Sequence, residues 1–108
     1  MRADHVAMKV NNIEETVEWY KDNLKADVKY QDDTWALVSI EGFKVAFVLE
    51  EMHPPHLCFE INKEEKPELE VKYNKTFEKH RDGSEYLYVK DVSGNYIEFL
   101  YWPEIINM

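Results

Sequence analysis

The sequence has a single cysteine, few basic residues and no long apolar run, and each shortage excludes a class of protein. Cys58 cannot form a disulfide within the chain, which is typical of the reducing cytoplasm. Lysine and arginine number 13 against 22 aspartate and glutamate, a formal charge of -9, whereas nucleic acids and anionic membranes require a basic face. Apolar runs are far shorter than a membrane span, and residues 1–4 do not resemble the start of a signal peptide. We therefore expect a cytoplasmic protein that binds neither nucleic acid nor membrane.

The residues that are abundant indicate a folded chain. Hydrophobic residues make up 44% and aromatic residues 14% of the 108 residues. This is sufficient for one hydrophobic core, and the chain is too short for two independent cores. We expect a single domain over residues 1–108.

A strand-like segment that begins with a histidine occurs twice, so half of the chain is a diverged copy of the other half. His5 opens one segment and His56 opens the other, 51 positions later. In both, apolar residues alternate with other types, so one face of the strand is buried and the histidine begins the opposite face. The halves are predicted as modules over about 4–50 and 55–102, joined by a stiff linker that contains two prolines.

Each module predicts the element order β-α-β-β-β. Asn12 as N-cap, with Glu15 three residues later, forms a capping box before the first helix. The second helix is predicted to be short or partly lost, because residues 62–73 are charged and interrupted by Pro67. The tail 103–108 has no periodicity. The predicted strands are residues 4–10, 27–31, 35–40, 44–49, 55–61, 76–80, 86–90 and 96–102, and the first helix spans about 12–24.

Three metal-binding side chains are predicted on the strand face opposite the helices. His5 and His56 occupy equivalent positions of the repeat, and strand alternation places Glu98 on the corresponding face. Two imidazoles and a carboxylate, with coordination positions left open, suit one divalent ion such as Zn(II), Fe(II), Mn(II), Ni(II) or Co(II). Such an ion can activate water, polarise a substrate oxygen or bind dioxygen. His53 and His80 are interpreted as solvated loop or strand-end residues.

Other side chains are candidates for lining a cavity beside the metal. Lys9 either holds an anionic group of a substrate or is a solvated strand-end residue. Cys58 is either a small core residue or a redox-sensitive thiol or soft auxiliary ligand. A group of aromatic residues either lines the cavity, which suits a planar or partly apolar ligand, or fills the core or a dimer contact. These aromatic residues are Trp35, Tyr86, Tyr88, Tyr96 and Trp102.

The sequence resembles the vicinal oxygen chelate superfamily, which includes glyoxalase I, fosfomycin-resistance thiol transferases, bleomycin-resistance proteins and extradiol dioxygenases. Residues 91–99 match the family's D-P-x-G-N-x-I-E signature, except that Val92 replaces the proline. The other segments that carry the resemblance are residues 5–10, 17–24 and 56–59.

The resemblance implies an α+β fold in which two βαβββ modules form curved mixed sheets around a cavity, usually within a homodimer. It also implies a small-molecule ligand and a divalent metal bound at the positions of His5, His56 and Glu98. In glyoxalase I a fourth ligand lies on the last strand of the first module. When residues 44–49 are aligned with residues 95–100, Phe47 takes that position and is predicted to line the cavity.

Individual members of the family are matched unequally. Tyr88 matches a tyrosine that contacts the phosphonate in the fosfomycin transferases, whereas Ala7 replaces their usual threonine. Dioxygenase members carry an additional acid-base histidine or tyrosine, for which His80 and Tyr86 are candidates.

Two classes of function are therefore open. One is a metal-dependent enzyme, which would be a lyase, a thiol transferase or a dioxygenase, acting on a small substrate with adjacent oxygens. The other is a metal-free protein that sequesters an aromatic or cationic small molecule, which the negative charge and the aromatic content favour. A third possibility is a sensor or interaction domain with a vestigial site.

Overall fold

The computed structural model describes residues 1–103, which form the order β-α-β-β-β twice and so confirm the predicted α+β class. No helix within these residues is long and apolar enough to cross a membrane. Of the tail, only Pro103 falls within this range, and the prediction for 104–108 lies outside the described residues. The elements are β1 Arg2–Lys9, α1 Ile13–Leu24, β2 Asp27–Gln31, β3 Trp35–Ile40, β4 Phe43–Val48, β5 His56–Glu60, α2 Glu65–Tyr73, β6 Glu78–Lys79, β7 Glu85–Lys90 and β8 Tyr96–Tyr101.

The chain divides into two compact units. The first unit is His5–Leu57, and the second unit joins Met1–Asp4 to the chain from Cys58 onward. The division lies close to the boundary predicted between the two modules. It differs at the N-terminus, because the start of β1 belongs with the second unit.

In the first unit, strands lie in the order β2-β3-β4-β1. β3 and β4 are antiparallel neighbours joined by the tight turn Glu41-Gly42, in which both residues have positive φ angles, 53° and 82°. β1 runs parallel to β4, with Ala7 opposite Ala46. A parallel pair needs a long crossover connection, and α1 with the strands after it supplies one.

Helix α1 begins and ends where its terminal residues satisfy the backbone. The side chain of Asn12 accepts a hydrogen bond from the backbone N–H of Glu15 at 2.8 Å, as the capping pattern predicts. The helix ends at Leu24, and Lys25 caps it in the left-handed conformation with φ 54°. One face of α1 packs into a core cluster of the first unit, whose buried members are Ile13, Val17, Ala36, Val38, Val45 and Phe47.

In the second unit, strands lie in the order β5-β8-β7-β6, and β7 is antiparallel to β8. β6 has only two residues, so the strand predicted over 76–80 is mostly irregular. Side chains on these strands and on the residues next to them form the core of the unit. Its buried members are Ile61, Phe77, Leu87, Val89 and Phe99.

Helix α2 is short, as predicted, and begins two residues before Pro67. Asn62 and Glu65 form a reciprocal capping pair: the Asn62 side chain accepts from the Glu65 N–H, and the Glu65 carboxylate accepts from the Asn62 N–H, both at 2.9 Å. Proline in the first turn costs little, because its missing N–H would have no partner within the helix. Leu69 and Tyr73 pack against the core of the unit from this helix.

Phe47 does not line a cavity, and the prediction that it does is wrong. It is fully buried in the core cluster beneath α1, where its ring lies 4.7 Å from that of Tyr20. The opposite face of β4 carries Ala46 and Val48, which pack with Ala7.

The cause of this error is the length of one turn. In the first unit, Ile40 pairs with Phe43 around two residues, whereas in the second unit Asp91 is hydrogen-bonded to Asn95 around three. The repeat offset of 51 positions therefore becomes 52 after this turn, and the counterpart of Glu98 is Ala46. A slip of one residue in a strand moves every side chain to the other face.

Candidate metal centre

The structure brings two of the predicted ligands together within the first unit. His5 lies on β1, and His56 is the first residue of β5. Their ring centroids are 5.5 Å apart and the ring planes are inclined at 68°. Both side chains are partly buried. Two imidazoles in such proximity can supply two nitrogen ligands to one ion.

The ring of His56 is held in one orientation by the proline linker. Its Nδ1 lies 2.8 Å from the carbonyl oxygen of Pro54. A carbonyl can only accept a hydrogen bond, so Nδ1 carries the hydrogen and the lone pair of the neutral ring is on Nε2. Histidine ligands of metals are commonly oriented in this way by a backbone carbonyl. Apart from the closeness of Pro54 to the histidine, no sequence pattern predicts this contact.

Small side chains follow His5 on its face of β1. Ala7 and Ala46 are both buried in a small apolar cluster, against which Trp35 and Leu37 pack. Trp35 is also stacked on the ring of Tyr30, with centroids 4.6 Å apart. Trp35 therefore packs against residues of its own unit.

Lys9 lies at the end of the same strand, and its ammonium group is 3.0 Å from a carboxylate oxygen of Glu50. Both side chains are about half exposed. Such a pair contributes little to stability, and it partly neutralises the cation that was a candidate for binding an anionic substrate.

Glu98, the third predicted ligand, lies on β8 in the second unit, opposite Tyr88 of β7. Glu98 is only 5% exposed. A carboxylate at this depth is costly unless a cation or hydrogen-bond donor compensates it. The structure supplies His80, whose Nε2 lies 3.1 Å from Oε2 of Glu98.

His80 is therefore more than a solvated strand-end residue, and that interpretation is wrong. Its side chain is 38% exposed, and the hydrogen bond to Glu98, together with the attraction of that carboxylate, raises the pKa of the imidazole. The ring is stacked on Tyr86 at a centroid distance of 4.1 Å. The contact depends on the pairing of β6, β7 and β8, which no local sequence pattern reports.

The second unit presents tyrosines on the same strand face as Glu98. Tyr86, Tyr88 and Tyr96, here called the tyrosine cluster, meet edge to face at centroid distances of 5.6 Å and 5.8 Å. Burial, with a further contribution from the charge of Glu98, raises the pKa of Tyr88 well above its usual range. Tyr88 is therefore a neutral phenol. The cluster can supply apolar ring surfaces and phenolic hydroxyl groups.

Three further side chains that the sequence singles out differ in their exposure. Cys58 is fully buried on β5. Trp102 follows β8 and is about half exposed. His53 is exposed in the linker.

Comparisons with known proteins identify the fold. No family profile and no curated protein matches the sequence. A glyoxalase/bleomycin resistance protein/dioxygenase superfamily member from Vibrio splendidus 12B01 has a TM-score of 0.72 at 14% identity, over 92% of this chain and 98% of that one. The chain has the vicinal oxygen chelate fold.

Structures with this fold carry different names. Methylmalonyl-CoA epimerase from Streptomyces coelicolor has a TM-score of 0.73 at 12% identity, over 100% of this chain and 99% of that one. An extradiol ring-cleaving dioxygenase from B. fuscum has a TM-score of 0.72 at 19% identity, over 99% of this chain and 34% of the longer enzyme. Because the vicinal oxygen chelate fold serves several reactions, function has to be argued from the residues of the site.

Proposed function

We propose that this protein is a divalent-metal-dependent enzyme in which His5, His56 and Glu98 bind one metal ion. The observation that carries the proposal is the proximity of the two histidine rings, together with the fixed orientation of His56. The two rings lie together, and the Pro54 carbonyl fixes the lone pair of His56 on Nε2. Two imidazoles held side by side, one of them with its lone pair fixed on Nε2, match the need of a metal ion for two nitrogen ligands.

The chemistry of Glu98 supports the third ligand. A buried carboxylate on the strand face that carries the tyrosine cluster is a hard oxygen donor, and together with two imidazoles it forms a donor set that suits Zn(II), Fe(II), Mn(II), Ni(II) or Co(II). The resemblance of residues 91–99 to the signature of the superfamily supports the same assignment.

Bound at these residues, the ion would polarise adjacent oxygens of a small substrate as a Lewis acid. His56 would hold its Nε2 toward the ion because Pro54 accepts the hydrogen of Nδ1. The tyrosine cluster would exclude water from the carboxylate and present ring faces to an apolar part of the substrate. We assign the reaction to the lyase, thiol transferase or dioxygenase classes.

We further propose that the two modules form one domain over residues 1–108 and that the protein acts as a cytoplasmic homodimer. The single cysteine, which is buried, suits a reducing compartment. The dimer follows from the resemblance to the superfamily, whose members commonly pair their modules between two chains.

The test is metal analysis of protein purified without a histidine tag and dialysed against Zn(II) or Co(II). We expect about one ion per chain for the wild type and almost none for the double variant His5→Ala, Glu98→Ala. His53→Ala is the matched control, because this exposed linker histidine lies outside the donor set. Equal and negligible metal in wild type and double variant would contradict the proposal.

The second candidate is metal-free sequestration of an aromatic or cationic molecule, which the tyrosine cluster and the charge of -9 favour. Thermal-shift measurements separate the two functions. Stabilisation by divalent metals supports the enzyme, whereas stabilisation by organic ligands alone supports sequestration.

A further inference from the structure

We propose that His80 is a positioning residue for Glu98. Its imidazole donates a hydrogen bond to Oε2 of the carboxylate, so that Glu98 would bind the metal through its other oxygen alone. This inference rests on the proposed function and adds to the metal site a residue that lies outside the predicted donor set. The evidence lies entirely within the second unit.

The first observation is the contact and the difference in burial across it. Nε2 of His80 lies 3.1 Å from Oε2 of Glu98, and the two side chains are 38% and 6% exposed. The imidazole therefore lies on the solvent side of a carboxylate that is itself almost completely buried. A donor in this position compensates the loss of hydration at that oxygen.

The second observation is that the imidazole is itself held in place. Its ring is stacked on Tyr86, with centroids 4.1 Å apart and planes inclined at 22°. Its backbone N–H donates to the carbonyl of Ser84 at 2.8 Å, and its own carbonyl accepts from the N–H of Gly83 at 3.1 Å. A side chain fixed by both a ring contact and a closed turn can orient the group to which it donates.

The third observation concerns Asp82, the carboxylate that lies two residues after His80. It accepts hydrogen bonds from the hydroxyl and the N–H of Ser84 at 2.6 Å and 2.9 Å. Asp82 is thus committed to closing the turn. The hydrogen bond from the His80 ring goes to Glu98.

The consequence for the metal is a defined coordination mode. An oxygen that accepts a directed hydrogen bond is less available as a second metal ligand, so the carboxylate contributes one oxygen. Together with two imidazoles this leaves coordination positions for adjacent substrate oxygens. Partners that orient a metal ligand typically change metal affinity by about 10- to 100-fold when they are removed.

The test compares three variants by Co(II) titration, which reports both the dissociation constant and the ligand-field spectrum. His80→Phe keeps a ring against Tyr86 but cannot donate, and we expect it to weaken Co(II) binding by about 10- to 100-fold and to change the spectrum. His80→Gln retains a donor and should recover most of the affinity. His53→Phe, the control in the exposed linker, should leave both properties unchanged.

A second background separates positioning from a merely structural role. In Glu98→Gln protein, where the ligand carboxylate is already lost, His80→Phe should cause no further loss of residual Co(II) affinity. A structural role would lower the affinity in both backgrounds, together with Tm, and would overturn the inference.

The failures of the two proposals are distinguishable. Wild-type protein that binds no Co(II) would overturn both the metal site and the role of His80. Wild-type protein that binds Co(II), with His80→Phe showing the same affinity and spectrum, would overturn only the role of His80.

Discussion

The ring of Phe47 packs against the ring of Tyr20 from α1, with centroids 4.7 Å apart. This contact assigns Phe47 to the core on the helix side of β4, where its residue is fully buried. The side chain therefore contributes to stability and lies outside the proposed metal site.

We predict that Phe47→Ala lowers the free energy of unfolding by about 3–5 kcal/mol, because it removes a fully buried ring and leaves a cavity. Phe43, at the start of the same strand, is 58% exposed, and Phe43→Ala should change stability by no more than about 0.5 kcal/mol. Urea denaturation measures both. Similar losses for the two variants would contradict the register of β4.

We predict that the neutral form of the His56 ring in the metal-free protein carries its hydrogen on Nδ1 and its lone pair on Nε2, since Nδ1 faces the carbonyl oxygen of Pro54. Long-range ¹H–¹⁵N correlation spectra distinguish the two tautomers of a neutral imidazole. The exposed His53 provides the internal comparison. A hydrogen on Nε2 of His56 would show that the linker does not prepare this nitrogen as a ligand.

We predict that the turn after His80 stabilises the protein in a pH-dependent way. Hydrogen bonds from Ser84 hold the pKa of Asp82 below its usual value of 3.8. The Asp82 carboxylate therefore binds a proton less readily in the folded state than in the unfolded state. Its contribution to the free energy of unfolding is complete above the unfolded pKa and is lost as the pH falls through the lower, folded pKa.

Ser84→Ala should accordingly be less stable than the wild type near neutral pH, and the difference should shrink once the pH falls below the usual aspartate pKa of 3.8. Chemical denaturation at a series of pH values measures the difference. Ser93→Ala is the control, because Ser93 contacts Asp91 through its backbone N–H and that contact survives the substitution. A stability difference for Ser84→Ala that is the same at all pH values would contradict this role of Asp82.

The sequence predicted those features that depend on local chemistry. Helix α1 follows from the cap at Asn12 and from the apolar spacing of Ile13 and Val17, both of which are buried. The strands of both units follow from alternation. The histidine pair follows from the repeat, because His5 and His56 stand at equivalent positions of two similar strands.

The features that the sequence did not predict depend on contacts or on chain length. The start of α2 depends on the reciprocal contact between Asn62 and Glu65, two residues before Pro67. The contact of His80 with Glu98 joins residues on different strands. The face of β4 on which Phe47 lies depends on the length of the turn between the last two strands of each module. A constant repeat spacing assumes that this length is equal in the two modules.

The difference in length between these two turns bears on how the two halves of the gene diverged. If the halves arose by tandem duplication, they now differ by one codon at this hairpin tip, which lies around Ser93 and Gly94 in the second half and leaves Glu98 opposite Tyr88. A hairpin tip tolerates such a difference in length because cross-strand pairing determines which face each residue of the returning strand occupies. Homologous positions in the two halves should therefore be assigned by cross-strand partner, with Ala46 and Leu37 as the counterparts of Glu98 and Tyr88.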